Sequence, residues 1–190
     1  MAVKNYCIIQ RNGYYYIPVK AKFDPYGKGK LSYLACLPNF FGGTMENMES
    51  PEAGLIREVA EESQEKIELS DCQFYLKDLF SFAMKKMGRN GEILDYYGFY
   101  LLTVEDAGEF FEEDVCILDP SVAEASKKEM SCILKIAVDD LRGKTVEEFL
   151  DLCIRMEGNL FDLNEQERFP LSQWKKDTGT KDAFLALLAS

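Results

Sequence analysis

Four glutamates in the stretch Gly43–Glu65 fall at spacings of three and four residues: Glu58, Glu61, Glu62 and Glu65. On a helix such spacings place them along one stripe, and like charges so placed repel by about 0.2–0.5 kcal/mol per pair. Either open water or a cation must relieve that repulsion, so the stripe reads as a solvated acidic face or a divalent-metal site. All-oxygen ligands of this hard type suit Mg²⁺ or Mn²⁺. Gly54 lies in the same stripe one turn earlier, where a missing side chain leaves room for a hydrated ion or a phosphate.

The element that must carry the stripe is a helix from Pro51 to about Glu65. Ser50 is the natural N-cap and Pro51 the first helical residue, since Ser accepts from an orphan backbone N–H and Pro has none to leave unpaired. Ile56, Val59, Ala60 and Ile67 form the opposite, apolar side. Gly42 and Gly43 close a loop ahead of it.

Taken together, Gly43, five residues, Glu49, seven residues, Arg57-Glu58-Val59, one residue and Glu61-Glu62 resembles the Nudix box of the Nudix hydrolase family. The six polar or glycine positions agree, and Val59 supplies the aliphatic one. Gln64 and Glu65 stand where the family usually has Gly and an aliphatic, which removes the usual left-handed helix stop and predicts a helix running one turn further. The resemblance implies a Nudix fold, with Glu58, Glu61 and Glu62 and the Gly43 carbonyl as metal ligands. It also implies an orienting pair between Arg57 and Glu49, and a further carboxylate from beyond the box acting as base or extra ligand. Glu113, Glu124 and Glu129 are the candidates for that carboxylate, with Glu58 as the alternative base; Glu109 and Glu112 share the same acidic segment.

Composition bounds the chemistry. The 190 residues contain no histidine, which removes His-based general bases, catalytic triads and His-ligated zinc. A net charge of −11 argues against a nucleic-acid backbone as partner, while a small anionic nucleotide remains compatible through a metal ion. Apolar and aromatic contents of 47% and 13% are those of a folded domain. No apolar run reaches the roughly 20 residues needed to span a bilayer, and the N-terminus lacks a signal peptide's apolar core, so a cytoplasmic protein is expected. The six cysteines form no C-x-x-C pair, and several sit in apolar runs, as buried free thiols do.

Around the box, residues 6–19 read as a hairpin turning at Arg11-Asn12-Gly13. Its Tyr14, Tyr15 and Tyr16 are either core residues or a stacking surface for a base. Residues 20–30 read as a basic loop in which Lys20 and Lys22 stand where the resembled family often has Arg, and Leu31–Pro38 reads as a strand entering the box. Cys72–Lys85 and Glu92–Glu105 are two long strands joined at Asn90-Gly91. Residues 107–128 read as loop, Met130–Val138 as a strand, and Val146–Met156 as a second helix with Val146, Phe149, Leu150, Cys153 and Ile154 on one face. The weak acidic pattern at Asp162, Asn164 and Gln166 lacks the glycine and final glutamate of a calcium loop.

The expected fold is α/β, an α/β/α sandwich with a mixed sheet between helices. It is read as a single domain over 1–190 with a helical C-terminal extension over 159–190. Trp174 anchors that extension or fills a homodimer contact. The expected activity is divalent-metal-dependent cleavage of the diphosphate linkage in a nucleoside diphosphate derivative such as a nucleotide sugar or ADP-ribose. The alternative is a non-catalytic module that binds a nucleotide.

Overall fold

Strand β1 (Val3–Arg11) meets β2 (Tyr14–Lys20) across a tight turn in which Asn12 and Gly13 both adopt positive φ, 50° and 79°. That is the backbone twist a two-residue hairpin requires. The computed structural model describes residues 1–27, 29–88, 91–105, 110–158, 174 and 178–190. The remaining elements are β3 (Phe41–Thr44), α1 (Pro51–Glu62), β4 (Phe74–Gly88), β5 (Gly91–Val104), β6 (Val115–Ile117), a 3₁₀ turn at Ser126–Lys128, β7 (Met130–Ala137), α2 (Val138–Leu141), α3 (Val146–Gly158) and α4 (Thr178–Leu188). The strands form one mixed sheet ordered β4-β5-β1-β2-β7-β6, with β3 added against β1. The β1–β5 pair is parallel and the others are antiparallel.

Side chains alternate along β1 as a strand covered on both faces demands. Cys7 and Ile9 face one layer with Tyr16, Leu102 and Ile133, where Leu55 and Val59 of α1 pack. Ile8 faces the other with Ile17, Leu134 and Phe99, covered by Phe149, Leu150 and Cys153 of α3 and by Phe184 and Leu187 of α4. Each fully buried side chain of this size contributes roughly 1.5–3 kcal/mol, so both layers are needed. The α/β/α sandwich expected from the sequence is the observed architecture.

One irregularity of the sheet positions the site. β2 pairs with β7 along its whole length but with β1 only at Ile9–Arg11, beyond which it diverges from β1. The vacated edge of β1, Lys4–Cys7, is taken by the short β3. The two sheet halves splay there, and the glycines of β3 sit at the fork.

Several expectations are corrected. Leu31–Pro38 is a series of turns with isolated bridges rather than a strand, because Leu34 and Cys36 adopt φ of 63° and 57°, values no strand allows. The strand entering the box is Phe41–Thr44. α1 stops at Glu62 and does not extend to Glu65. Its buried side is Gly54, Leu55, Val59 and Glu62, whereas Ile56 and Ala60 are half-buried. Tyr15 and Tyr16 are core residues and Tyr14 packs under Lys135, which leaves none of the three against the cavity described below. Trp174 is fully buried against Phe184 within its own chain. Asn90, Glu109 and the 162–166 pattern lie outside the described residues, as does most of the 159–177 stretch. Among the described residues, no helix is long and apolar enough to cross a membrane. All six cysteines are free, and Cys7, Cys36, Cys132 and Cys153 are buried.

Candidate active site

α1 begins as its sequence requires. Ser50 Oγ accepts from the Ala53 N–H at 3.2 Å, and Pro51 occupies the first turn. Its apolar stripe docks on β1, and this rotates Glu58 and Glu62 towards the fork between β1, β2 and β3. The fork opens into a cavity of about 900 Å³ whose lining includes Lys20, Gly42, Gly43, Glu58, Glu61, Glu62 and Glu129.

Glu62 is the deepest of these carboxylates, only 2% exposed. Its Oε2 accepts from the Gly42 N–H at 2.8 Å. Burial holds its pKa well above the usual carboxylate range, and the nearby negative charges of Glu129 and Glu58 push the same way against the opposing pull of Lys20. Glu58 is also raised, first by burial, then by Glu61 and Glu129, against the lowering effect of Arg57. The two glycines earn their places differently. A Cβ on Gly42 would lie 2.1 Å from the Asn5 backbone oxygen, and its φ of 138° is one that side chains rarely adopt. A Cβ on Gly43 would meet the Glu58 carboxylate at 2.6–3.0 Å.

Arg57 ties the loop to the helix. Its Nε and Nη2 donate to the two oxygens of Glu49, each at 3.1 Å, its Nη1 to Glu58 Oε1 at 2.9 Å, and its Nη2 also to the Thr44 carbonyl at 3.4 Å. Glu61 Oε1 is 3.8 Å from Nη1. Glu49 in turn accepts from the Glu46 N–H at 2.9 Å, and the Arg57 bonds hold its carboxyl below the usual range. This bidentate pair is the one the sequence pattern implied, and such forks fix geometry more than they add stability. The space beside Gly54 is taken by Met45, whose Sδ and Cε lie 2.6 Å from where a Cβ would stand, with Glu49 Oε2 at 3.1 Å. The glycine therefore makes room for the loop and not for an ion or a phosphate.

Of the carboxylates beyond the box, Glu129 lines the cavity; its Oε2 accepts from Lys20 Nζ at 2.6 Å. Glu124 is well exposed and pairs with Lys127 at 3.4 Å, and Glu113 is an exposed residue away from the cavity lining. Glu65 is bound by Lys127 at 2.8 Å, outside the acidic group.

Among the described residues, no three acidic groups are already drawn into a closed metal shell. Arg57 and Lys20 stand between them as cations. The donors nevertheless fit a hard divalent ion: they are all oxygen, they share one cavity, and the buried Glu62 and half-buried Glu58 lie beside like charges. Away from the carboxylates the cavity wall is aromatic. Phe82 and Tyr97 stack with centroids 4.7 Å apart and planes 5° apart, Tyr6 stacks on Phe99 at 5.1 Å, and Lys4 Nζ lies 5.3 Å from the Tyr97 ring centre. Gly179 and Thr180 of α4 also reach the lining. Cross-strand pairing of Phe82 with Tyr97 builds this wall, and nothing in their local sequence signalled it.

No protein-family model and no curated protein sequence matches the chain. Among solved structures, it is similar to the MutT NUDIX hydrolase of Burkholderia pseudomallei, with 14% identity, 81% of this chain and 95% of that one covered, and a TM-score of 0.40. The chain resembles Nudix hydrolases. A MutT protein from Methanosarcina mazei Go1 gives 12% identity, coverages of 83% and 94%, and a TM-score of 0.44. The Escherichia coli dihydroneopterin triphosphate pyrophosphohydrolase gives 12% identity, coverages of 81% and 92%, and a TM-score of 0.43. Gly43, Glu49, Arg57, Glu58 and Glu61 form one connected group through the contacts given above, and Glu62 adjoins it through Gly42.

Proposed function

We propose that the protein is a divalent-metal-dependent Nudix pyrophosphohydrolase that cleaves the diphosphate linkage of a nucleoside diphosphate derivative. The observation that carries this reading is the convergence of Glu58, Glu61, Glu62, Gly43 and Glu129 on one cavity that also has a stacked aromatic wall. Mg²⁺ or Mn²⁺, held by Glu58, Glu61, Glu62 and the Gly43 carbonyl, would neutralise the diphosphate oxygens and acidify water. Glu129 accepts the proton as water adds to phosphorus and the bridging P–O bond breaks, giving two phosphorylated products. Lys20 donates to Glu129 and lends positive charge beside the phosphates. Arg57, fixed by Glu49, holds Glu58 on the cavity side of α1. Phe82 and Tyr97 offer the base a flat apolar surface; stacking of this kind is worth about 1–3 kcal/mol per base.

The test is a panel of nucleotide sugars, ADP-ribose, dinucleoside polyphosphates and nucleoside triphosphates with Mg²⁺ or Mn²⁺, read by phosphate or nucleotide release. Turnover that disappears on chelation supports the reading. A second reading, a module that binds a nucleotide without cleaving it, is favoured by one contact: Lys20 already neutralises Glu129 at 2.6 Å. Tight nucleotide binding with no turnover across the panel would select it.

A further inference from the structure

The residue that departs most from the Nudix pattern is also among the most tightly held. Gln64 follows the end of α1 with a φ of 52°, in the left-handed region that favours glycine. Its carboxamide is fully engaged with another part of the chain. Nε2 donates to the Asp119 carbonyl at 2.9 Å and to the Lys127 carbonyl at 2.8 Å, and Oε1 accepts from the Asp119 N–H at 2.7 Å. Both donors and the acceptor of one side chain are thereby used. A glutamine immobilised in a conformation it disfavours does something that glycine could not.

The two anchor points bracket the segment that leads to Glu129. Lys127 lies two residues before it, in the 3₁₀ turn at Ser126–Lys128. A second tie runs alongside, from Glu65 to Lys127 Nζ at 2.8 Å. On its other side Glu129 is gripped by the end of β2: its carbonyl accepts from the Ala21 N–H at 2.8 Å and its carboxylate from Lys20 at 2.6 Å. Glu129 thus hangs between the end of the helix that carries Glu58 and Glu62 and the strand on the far side of the fork.

We propose that Gln64 is a positioning residue for catalysis: it replaces the glycine helix stop with a tie that sets where Glu129 stands across the cavity from Glu58 and Glu62. This rests on the hydrolase reading above. The competing account is that Gln64 only ends the helix, and the two accounts separate on one substitution. Gln64→Gly supplies the left-handed stop at less strain but removes the three hydrogen bonds. Gln64→Asn tolerates the same backbone and keeps an amide, one methylene short of its partners.

The experiment measures kcat and KM with Mg²⁺ for both variants, for Glu129→Gln, and for the double variant Gln64→Gly with Glu129→Gln, alongside amide hydrogen exchange over residues 119–130. Both Gln64 variants should keep KM and the melting temperature. Each should lose about 10-fold in kcat, the scale on which a small misplacement of a catalytic group acts. Exchange at the Asp119 amide should quicken. The double variant should be no slower than Glu129→Gln alone, because the residues act through one another. Full turnover by Gln64→Gly, or additive losses in the double variant, would overturn the proposal. If the wild type turned over nothing, the hydrolase reading would fail, and unchanged exchange in Gln64→Gly would separately dispose of the tie.

Discussion

Glu62→Gln should stabilise the metal-free protein while disabling it. Glu62 is almost wholly buried, it accepts from the Gly42 N–H, and Glu58 and Glu129 repel its charge. Its folded pKa lies above the unfolded value, so the folded state binds the proton more tightly. Between the ordinary carboxylate range and that raised value, folding takes up a proton, and stability falls as pH rises. Near pH 7 the folded apo-protein must therefore either hold that charge or take up a proton, and both cost stability. Glutamine matches the shape, still accepts from Gly42 through its carbonyl oxygen, and removes the charge. Relieving such a buried, partly paired charge is worth about 1–3 kcal/mol. At roughly 2–4 °C per kcal/mol for a chain of this length, the melting temperature should rise by several degrees. Melts followed by circular dichroism from pH 5 to 8 should show a flatter pH slope for the variant. Added Mg²⁺ should stabilise the wild type more than the variant, and turnover should drop by about 10²–10³-fold, as when one preorganised charge-stabilising group is lost. A variant that melts below the wild type at neutral pH without metal would refute the argument that Glu62 is buried at an electrostatic cost.

The two glycines of β3 should divide their roles. Gly42→Ala places a Cβ against the Asn5 backbone at a forbidden φ, so it should cost fold stability, at least the roughly 1–3 kcal/mol of such strain, as read by denaturant unfolding. Gly43→Ala meets only the end of the Glu58 side chain, which can swing away; the melting temperature should change little while kcat falls about 10²-fold. Arg57→Lys keeps the charge but loses the fork to Glu49, so steady-state kinetics should show a loss of about 10-fold or more despite the conservative change. Phe82→Ala removes the ring stacked on Tyr97; KM for a nucleotide should rise by about 10-fold with kcat nearly unchanged, the signature of lost uniform binding.

What the sequence made legible was local and periodic. The N-cap at Ser50, the Asn12-Gly13 turn and the two long strands each follow from residues close in the chain, and each is found. Leu31–Pro38 misled because its apolar residues are buried without being extended; Leu34, Ala35, Cys36 and Leu37 fill the core from consecutive turns. Composition alone cannot separate a buried strand from a buried coil of this kind. The helix wheel was misplaced by one position for a related reason. Leu55 and Glu62 face inward with Val59, and a glutamate on the buried side defeats any assignment that sorts polar from apolar.

The site was legible to the extent that its contacts are short in sequence. The Arg57–Glu49 pair and the clustering of Glu58, Glu61 and Glu62 span at most a few helical turns and a loop, so spacing encodes them. Glu129, Lys20, Phe82 and Tyr97 arrive through the splaying of β1 and β2 and the register of β4 on β5, which no short window records. Gln64 shows why an apparent defect in a motif needs the fold to interpret it. Read alone, the loss of a helix-stopping glycine predicts a longer helix. In the folded chain the stop persists with Gln64 and Glu65 both at positive φ, held by a side chain that glycine does not have, and bonds to residues more than fifty positions away replace the local preference.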